Sequence, residues 1–264
     1  MTTGPTQRAV LNTTPLKRYH HITPHDIMLK DLLKKIFSRE RIDRFYVPYS
    51  MFFKNARREA FKTWGPHTQI NGPIKGCTEF VALDDFTRLQ ADTRITSIGG
   101  MVRVKKYSAV AADCLFIPGS HTPTVGLTQF LSITHINDVE TEIVIEEDVW
   151  VGSRCTLLNK ARVGRGAIVG ACSLVNKPVP PYAVVAGVPA KVIAVRFTLE
   201  EILKHESILY PPEERLERSY LEALFENEYK GLRTIGTSEI SEEDQLKLQQ
   251  AKAYYNIPQY EGHQ

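Results

Sequence analysis

The sequence predicts a mainly β protein, in which short parallel strands wind into a solenoid over residues 67–197 between N-terminal and C-terminal helical segments. Two observations predict this fold. Aliphatic residues recur six positions apart without a break, at Ile145, Val151, Leu157, Val163, Val169 and Val175. Compact residues stand four positions after them, at Val149, Cys155, Ala161, Ala167 and Ser173.

A period of six matches neither the 3.6-residue period of a helix nor the two-residue period of a strand. It fits a prism with three flat faces, in which one coil takes about 18 residues and stacks on the next. We therefore expect Ile145 to lie beneath Val163, and Val151 beneath Val169, with all four side chains pointing inward. The two ends of such a stack are open sheet edges, which need cover.

An earlier block keeps the same six-residue spacing, and a looser pattern extends it upstream. The block consists of Ile98, Val104, Val110 and Phe116, and the extension of Ile74, Phe80 and Phe86. The spacing from Phe116 to Ile145 is not a multiple of six, so an intervening segment leaves the prism. We predict this excursion at about 122–141, and loops of about 20 residues in compact domains tend to be functional.

The segments on either side of the solenoid have helical patterns. Residues 1–66 are predicted to form an arm and two helices, one capped by Asp26 and one over Tyr49–Lys62. Residues 198–264 are predicted to form a helix at Leu199–Leu203, a second that starts at Pro211 and Pro212, and a third near Ser241–Tyr255. We interpret the C-terminal helices as covers for the solenoid and as oligomer contacts.

Composition narrows the classes of function. The 264 residues include 33 Lys+Arg against 30 Asp+Glu, which argues against a dedicated nucleic-acid binder. No apolar run approaches the ~18 residues of a membrane span, so no membrane insertion is expected. Residues 1–15 lack the apolar core of a secretory leader. The four cysteines form no C-x-x-C pair, so neither a disulfide framework nor a zinc knuckle is expected. We expect a cytoplasmic protein.

The stretch Val144–Phe197, with its Trp-Val-Gly-Ser and Ala-Gly-Val-Pro-Ala-Lys-Val-Ile segments, resembles the hexapeptide-repeat acyltransferases. Val104–Pro123 looks like the coil that carries their catalytic histidine. The branch it resembles holds sugar O-acetyltransferases and xenobiotic acetyltransferases. The resemblance implies a left-handed β-helix, which is an exception to the usual right-handed crossover. It also implies acetyl-CoA as co-substrate, no metal, and a homotrimer with active sites between subunits.

The resemblance places the general base at His121, where the repeat ends and the excursion begins. A hydroxyl is a weak nucleophile, and histidine titrates near neutral pH, which suits it to take the hydroxyl proton. His135, inside the excursion, is the competing base and a candidate contact to the acceptor. A structural role for His121, as a loop histidine bonded to backbone, stays open at this point.

A metal site is the alternative class. The γ-type carbonic anhydrases share this prism and bind zinc through three histidines. Between residues 67 and 195 the chain offers only His67, His121 and His135 for such a tripod. His20 and His25 have a spacing that suits metal, but no third ligand lies near them in sequence. A non-catalytic prism is a further alternative.

The resemblance also implies the residues that bind coenzyme A. Trp150 matches an aromatic residue at the mouth of the active site, and Ser153 and Ala171, one coil apart, match positions along the pantetheine arm. The remaining matches, to the segment near the phosphates, are Asn176, Lys177, Lys191 and Arg196. Lysine serves a phosphate as a point charge and arginine as a fork.

The acceptor is less well specified. The residues after His121 depart from the pattern of antibiotic-modifying enzymes, and Gly99 and Gly100 stand near the position where maltose and galactoside transferases have a sugar-binding acid. Asp84 and Asp92 are the candidate acids here. The leading prediction is an O-acetyltransferase of a sugar hydroxyl in surface-polysaccharide biosynthesis. The alternatives are an amino-sugar N-acetyltransferase and a xenobiotic acetyltransferase of the chloramphenicol or streptogramin type.

Overall fold

A computed structural model describes residues 58–97, 99–258 and 260. The predicted helix after Asp26, residues 49–57 of the second predicted helix, and Ile98 lie outside these ranges, as do His20 and His25. The part of the second predicted helix that the structure describes is a 3₁₀ turn, Arg58–Ala60, after which Phe61 and Lys62 are not helical. The strands begin at Thr63, a few residues before the predicted boundary at 67.

Three sheets of parallel strands form a β-solenoid of about six turns. The first sheet contains Thr63–Trp64, Val81–Leu83, Met101–Val104, Glu142–Ile145 and Arg162–Val163. The second contains Gln69–Asn71, Arg88–Gln90, Ala109–Val110, Trp150–Val151, Ile168–Val169, Ala183–Ala186 and, antiparallel at its edge, Lys191–Val195. The third contains Lys75–Gly76, Arg94–Ile95, Leu115–Phe116, Thr156–Leu157 and Leu174–Val175.

The predicted stacking of the later coils is confirmed. Ile145 pairs with Val163 and Val151 with Val169 in parallel register, and all four side chains are buried. The compact residues four positions further on are buried as well, because the corner of the prism leaves room only for small side chains. The core therefore runs along the axis of the solenoid.

The predicted upstream register is confirmed in part. Val104, Val110, Phe116 and Ile74 are buried, but the prediction is wrong for Phe80 and Phe86, which are only half-buried. The inward positions of the second coil are Leu83, Leu89 and Ile95. Leu83 lies beneath Val104, a spacing longer than 18 residues, because extra residues are accommodated at the corners between these coils. The six-residue spacing within the coil persists, but its phase changes from one coil to the next.

The chain leaves the solenoid after Phe116, and this excursion is closed by its own short ladder. Gly119–Ser120 pairs with Val139–Glu140 in antiparallel register, before the chain rejoins the first sheet at Glu142. A six-residue 3₁₀ helix, Gln129–Thr134, lies within it. Large apolar side chains are exposed along this segment: Val125, Phe130, Leu131, Ile133, Ile136 and Val139.

Three helices follow the solenoid. Helix α1, Leu199–Leu209, begins at a capping box of Thr198 and Glu201. The two prolines start a 3₁₀ turn, Pro212–Glu214, and the predicted second helix begins later, as α2, Arg218–Asn227. Proline fits the first turn of a helix, but the segment after this turn is extended at Arg215. Helix α3, Glu242–Tyr255, is capped by Ser241.

Helices α1 and α2 pack on the solenoid, with Ile202 and Leu221 buried in the same apolar cluster as its core. A buried carboxylate, Glu206, fixes the contact by accepting hydrogen bonds from Tyr182 Oη at 2.6 Å and Arg165 Nη1 at 3.0 Å. Helix α3 has no buried residue. None of the helices described is long and apolar enough to cross a bilayer.

Candidate active site

The ladder that closes the excursion brings its two ends together. Ser120 pairs with Val139, so the next residues outward, His121 and Asp138, face each other across the mouth of the loop. His121 thereby lies at the base of the excursion, directly after the ladder that closes it. His135 reaches the same place from inside the excursion, where it ends the 3₁₀ helix in a left-handed conformation with φ 54°.

Both histidines bind one carboxylate oxygen. The Nδ1 atom of His121 lies 2.7 Å from Oδ2 of Asp138, and the Nδ1 atom of His135 lies 2.8 Å from the same oxygen. The two imidazole rings are nearly parallel, with an interplanar angle of 23° and centroids 5.5 Å apart. The backbone N–H of Thr122 faces the other carboxylate oxygen at 3.4 Å.

The carboxylate is covered and the imidazoles are not. The side chain of Asp138 is 6% exposed, whereas those of His121 and His135 are 50% and 44% exposed. The hydrogen bond from His135 lowers the pKa of Asp138, burial opposes this shift, and His121 adds to it. An ionised carboxylate only accepts, so each neutral imidazole carries its proton on Nδ1 and presents an unprotonated Nε2. Each Nε2 is a base.

Asp138 was not among the candidates drawn from the sequence. The repeat register ends before the excursion, so it carries no information on which excursion residue meets His121. The signal that was available is the antiparallel return of the loop, since a hairpin closed at Ser120 and Val139 makes Asp138 the partner of His121. Reading that return from sequence requires the pairing register, which two short strands do not reveal.

The described residues contain one side-chain group arranged to hold a metal ion, formed by His121, His135 and Asp138, whose ligand atoms lie within 4.8 Å of one another. Of the three histidines considered from the sequence as a zinc tripod, His67 does not belong to this group. His67 lies in the first coil, where its Nδ1 atom is 2.9 Å from Oδ2 of Asp85. Two imidazoles and a carboxylate suit zinc, but both Nδ1 atoms are occupied as donors to Asp138.

The residues predicted along the pantetheine arm stack at one corner of the prism, in the turns after two strands of the second sheet. Ser153 and Ala171 lie in successive coils, where the carbonyl of Ser153 accepts a hydrogen bond from the N–H of Cys172 at 2.9 Å. The close approach requires glycine at position 152, since an added Cβ would meet the backbone N of Ala171 at 2.7 Å. Trp150, on the same coil as Ser153, is 49% exposed.

Asn176, Lys177 and Lys191 lie together at the end of the solenoid, where they line a cavity of about 440 Å³. Its other walls are apolar or proline residues, among them Pro178, Pro180, Pro189 and Val185. Neither ammonium group forms an ion pair with a carboxylate in the part of the chain that the structure describes. Two unpaired cations beside an apolar wall are a suitable arrangement for an anionic ligand with an apolar or aromatic portion.

The other candidates lie elsewhere. The guanidinium of Arg196 donates to Oδ2 of Asp148 at 2.6 Å and to two backbone carbonyls, so its donors serve the packing of the solenoid end. Asp92 pairs with Lys75 at a different corner of the prism from the excursion. Asp84 lies at a third corner. Its side chain reaches solvent, but the part that is covered by the protein raises its pKa, and the nearby ammonium of Lys105 opposes this rise.

Comparisons with known proteins agree with the repeat. Residues 142–177 match the model of the bacterial transferase hexapeptide (six repeats) family. Two curated relatives are similar over a short part of the chain. A chloramphenicol acetyltransferase of Klebsiella aerogenes is 52% identical over 59 residues, which are 22% of this chain and 28% of that protein. A 2,3,4,5-tetrahydropyridine-2,6-dicarboxylate N-acetyltransferase of Staphylococcus aureus (strain JH9) is 53% identical over 51 residues, which are 19% and 21%.

The aligned segment thus spans less than a third of either curated relative. Among solved structures, a hexapeptide-repeat containing acetyltransferase of Vibrio cholerae superposes with a TM-score of 0.49 and 21% identity, over 60% of this chain and 89% of that one. The family match and the six-residue register coincide on the coils that follow the excursion. The stretch 142–177 is therefore a hexapeptide-repeat segment of the bacterial transferase type.

Proposed function

We propose that the protein is an acetyl-CoA-dependent O-acetyltransferase that acts on a sugar hydroxyl, with His121 as general base. The observation that carries the proposal is the pairing of His121 with Asp138 in the segment between the coil that ends at Phe116 and the hexapeptide match at 142–177. A half-exposed imidazole whose Nδ1 is held by a covered carboxylate has the geometry of a general base. The acetyltransferase names of the curated relatives support the reaction class.

The proposed reaction is direct attack. The Nε2 atom of His121 accepts the proton of the acceptor hydroxyl while the hydroxyl oxygen bonds to the thioester carbonyl carbon. The tetrahedral intermediate collapses, the carbon–sulfur bond breaks, and the thiolate of coenzyme A takes the proton from His121. Asp138 holds the ring and stabilises the imidazolium formed on the way. Backbone N–H groups near Trp150–Ser153 are the proposed oxyanion donors.

Acetyl-CoA would lie along the corner of the prism that Ser153 and Ala171 share. Its nucleotide end would reach the cavity beside Lys177 and Lys191. The two ammonium groups would neutralise phosphate charge, and the apolar wall would contact the adenine. This donor site uses Asn176 but not Arg196, because the guanidinium of Arg196 is held by Asp148.

The proposed assembly is a homotrimer with active sites between subunits. The exposed apolar side chains of the excursion support this, since Val125, Phe130 and Ile133 form a surface that a second copy of the chain would bury. Trp150 would line the site from the coil. A cytoplasmic role in surface-polysaccharide assembly is part of the same proposal.

A thiol-release assay with acetyl-CoA and a panel of sugars tests the activity. Substitution His121→Ala should lower turnover by about 10²-fold or more, because a general base contributes 10²–10⁴-fold. The matched control is His67→Ala, since His67 is also half-exposed and also bonded to a carboxylate, Asp85. Near-normal turnover of His121→Ala, or equal loss in both variants, would contradict the assignment of the base.

A second candidate is N-acetylation of an amino sugar or acetylation of a xenobiotic. This candidate is supported by the names of two relatives, a chloramphenicol acetyltransferase and an N-acetyltransferase. The same assay separates the candidates when chloramphenicol and an amino sugar join the panel. A neutral amine is already nucleophilic, so His121→Ala should slow an amine acceptor less than a hydroxyl acceptor.

A further inference from the structure

His121 and His135 form a pair because their Nδ1 atoms bind the same oxygen of Asp138, at 2.7 and 2.8 Å. That shared oxygen fixes the tautomer of each neutral ring, with the proton on Nδ1, so both Nε2 atoms are hydrogen-bond acceptors in this form. The rings are nearly parallel, with centroids 5.5 Å apart, and both are about half exposed. The site therefore presents two neighbouring acceptors, one more than deprotonation of a hydroxyl requires.

A single hydroxyl cannot satisfy this pair. One O–H carries one proton, so a lone hydroxyl between the two rings would donate to one Nε2 and turn lone pairs toward the other. Two hydroxyls on adjacent carbons donate one proton to each ring. The ring centroids lie 5.5 Å apart, and a hydrogen bond between a hydroxyl and a nitrogen spans about 2.8 Å, so each ring can bind a hydroxyl of its own. The number of protons, rather than this separation, favours a pair of donors.

The excursion has both apolar and polar exposed side chains. Phe130, Ile133 and Ile136 are exposed and apolar, whereas Gln129 is exposed and polar. The two imidazoles differ from Gln129 in being held side by side by one carboxylate oxygen. Their Nε2 atoms are therefore the fixed pair of acceptors that could select among hydroxyl patterns.

We propose that His135 determines acceptor specificity by binding the hydroxyl adjacent to the one that His121 deprotonates, so the acceptor is a sugar with a free vicinal diol. This inference rests on the proposed O-acetyltransferase activity and names its substrate class. His121 is assigned as the reacting member because it directly follows the ladder that closes the excursion, whereas His135 lies further inside the excursion, after its 3₁₀ helix. His135 touches the substrate but takes no proton in the transfer.

The test compares paired acceptors that differ at one hydroxyl: a glycoside with a free diol and its analogue with the neighbouring hydroxyl replaced by hydrogen. For the unaltered protein, kcat/KM should fall about 10–100-fold on the deoxy analogue, because one Nε2 loses its donor. In His135→Ala the two acceptors should react within about threefold of each other. His135→Gln keeps an acceptor oxygen and should retain part of the preference.

All assays contain a chelator, so that a metal ion bound to His121, His135 and Asp138 does not contribute to the measured rates. Unchanged discrimination in a folded His135→Ala, or none in the unaltered protein, overturns the inference while leaving the activity standing. If no acceptor releases thiol, the proposed function fails, and calorimetric binding of the same glycoside pair to unaltered protein and His135→Ala decides the specificity separately. Equal binding of the pair to unaltered protein overturns it; tighter diol binding that His135→Ala abolishes supports it.

Discussion

Asp138 lies 17 positions after His121 in the chain, yet its carboxylate bonds to the imidazole across the mouth of the excursion, at 2.7 Å. The contact depends on the antiparallel pairing of Ser120 with Val139, so the loop closure also sets the geometry of the proposed base. Residues that shape the excursion are therefore expected to affect the proposed reaction without touching the proposed donor site at the end of the solenoid.

Substitution Asp138→Asn should lower turnover about 10–100-fold, because a neutral amide stabilises the imidazolium less than a carboxylate does. Asp92→Asn is the control, as Asp92 pairs with Lys75 at another corner. Equal turnover of Asp138→Asn and the unaltered protein would contradict a role of this carboxylate in the reaction.

The sequence predicted the later coils well because every inward position there has the same apolar surroundings. Val151, beneath Val169, can only be a residue that tolerates full burial, and this constraint repeats every six residues. The earlier coils obey it too, with Leu83 and Leu89 buried, but extra corner residues change the phase and hide it. Because the phase changes, two of the positions predicted upstream, Phe80 and Phe86, are half-buried instead of buried.

The site could be predicted only in part, for a related reason. His121 stands where a regular pattern stops, and that interruption is visible in the sequence. Asp138 and the shared use of its oxygen by His135 depend on a pairing between two-residue strands, which leaves no periodic trace. The handedness of the coil came from the resemblance alone.

The inward register can be tested by two adjacent leucines. Leu157 is fully buried beneath Val175, whereas Leu158 is half-buried on the outer face. Leu157→Ala should lower the free energy of unfolding by about 2–5 kcal/mol, because it leaves a cavity in the core. Leu158→Ala should cost clearly less. Urea unfolding followed by circular dichroism measures both, and equal losses would contradict the register.

Stability should fall at acidic pH through Glu147. Burial disfavours its ionised form, but its own backbone N–H and the cations Arg165 and Lys105 outweigh burial and lower its pKa. A folded-state pKa below the unfolded value of about 4.3 gives stability that is present above that pH and is lost as pH falls through the folded value.

Chemical unfolding measures this loss as a fall in the free energy of unfolding between about pH 6 and about pH 3, a range that includes the ordinary pKa of glutamate. Glu147→Gln should be less stable than the unaltered protein at pH 6, and the difference should shrink toward pH 3. The control is Glu239→Gln, an exposed position that should leave the curve unchanged. A constant difference between Glu147→Gln and the unaltered protein at every pH would mean that the carboxylate contributes through packing, not charge.

The cavity beside Lys177 and Lys191 predicts how the donor is held. Lys177→Ala and Lys191→Ala should each raise KM for acetyl-CoA about 10-fold, the value of a charge-assisted hydrogen bond to phosphate. Turnover at saturation should stay the same, because the contacts are equal in the ground and transition states. Lys204→Ala, at an exposed lysine on α1, is the control. Acetyl-pantetheine lacks the nucleotide phosphates, so its KM should not respond to either substitution; a matching rise there would place the lysines against another part of the donor.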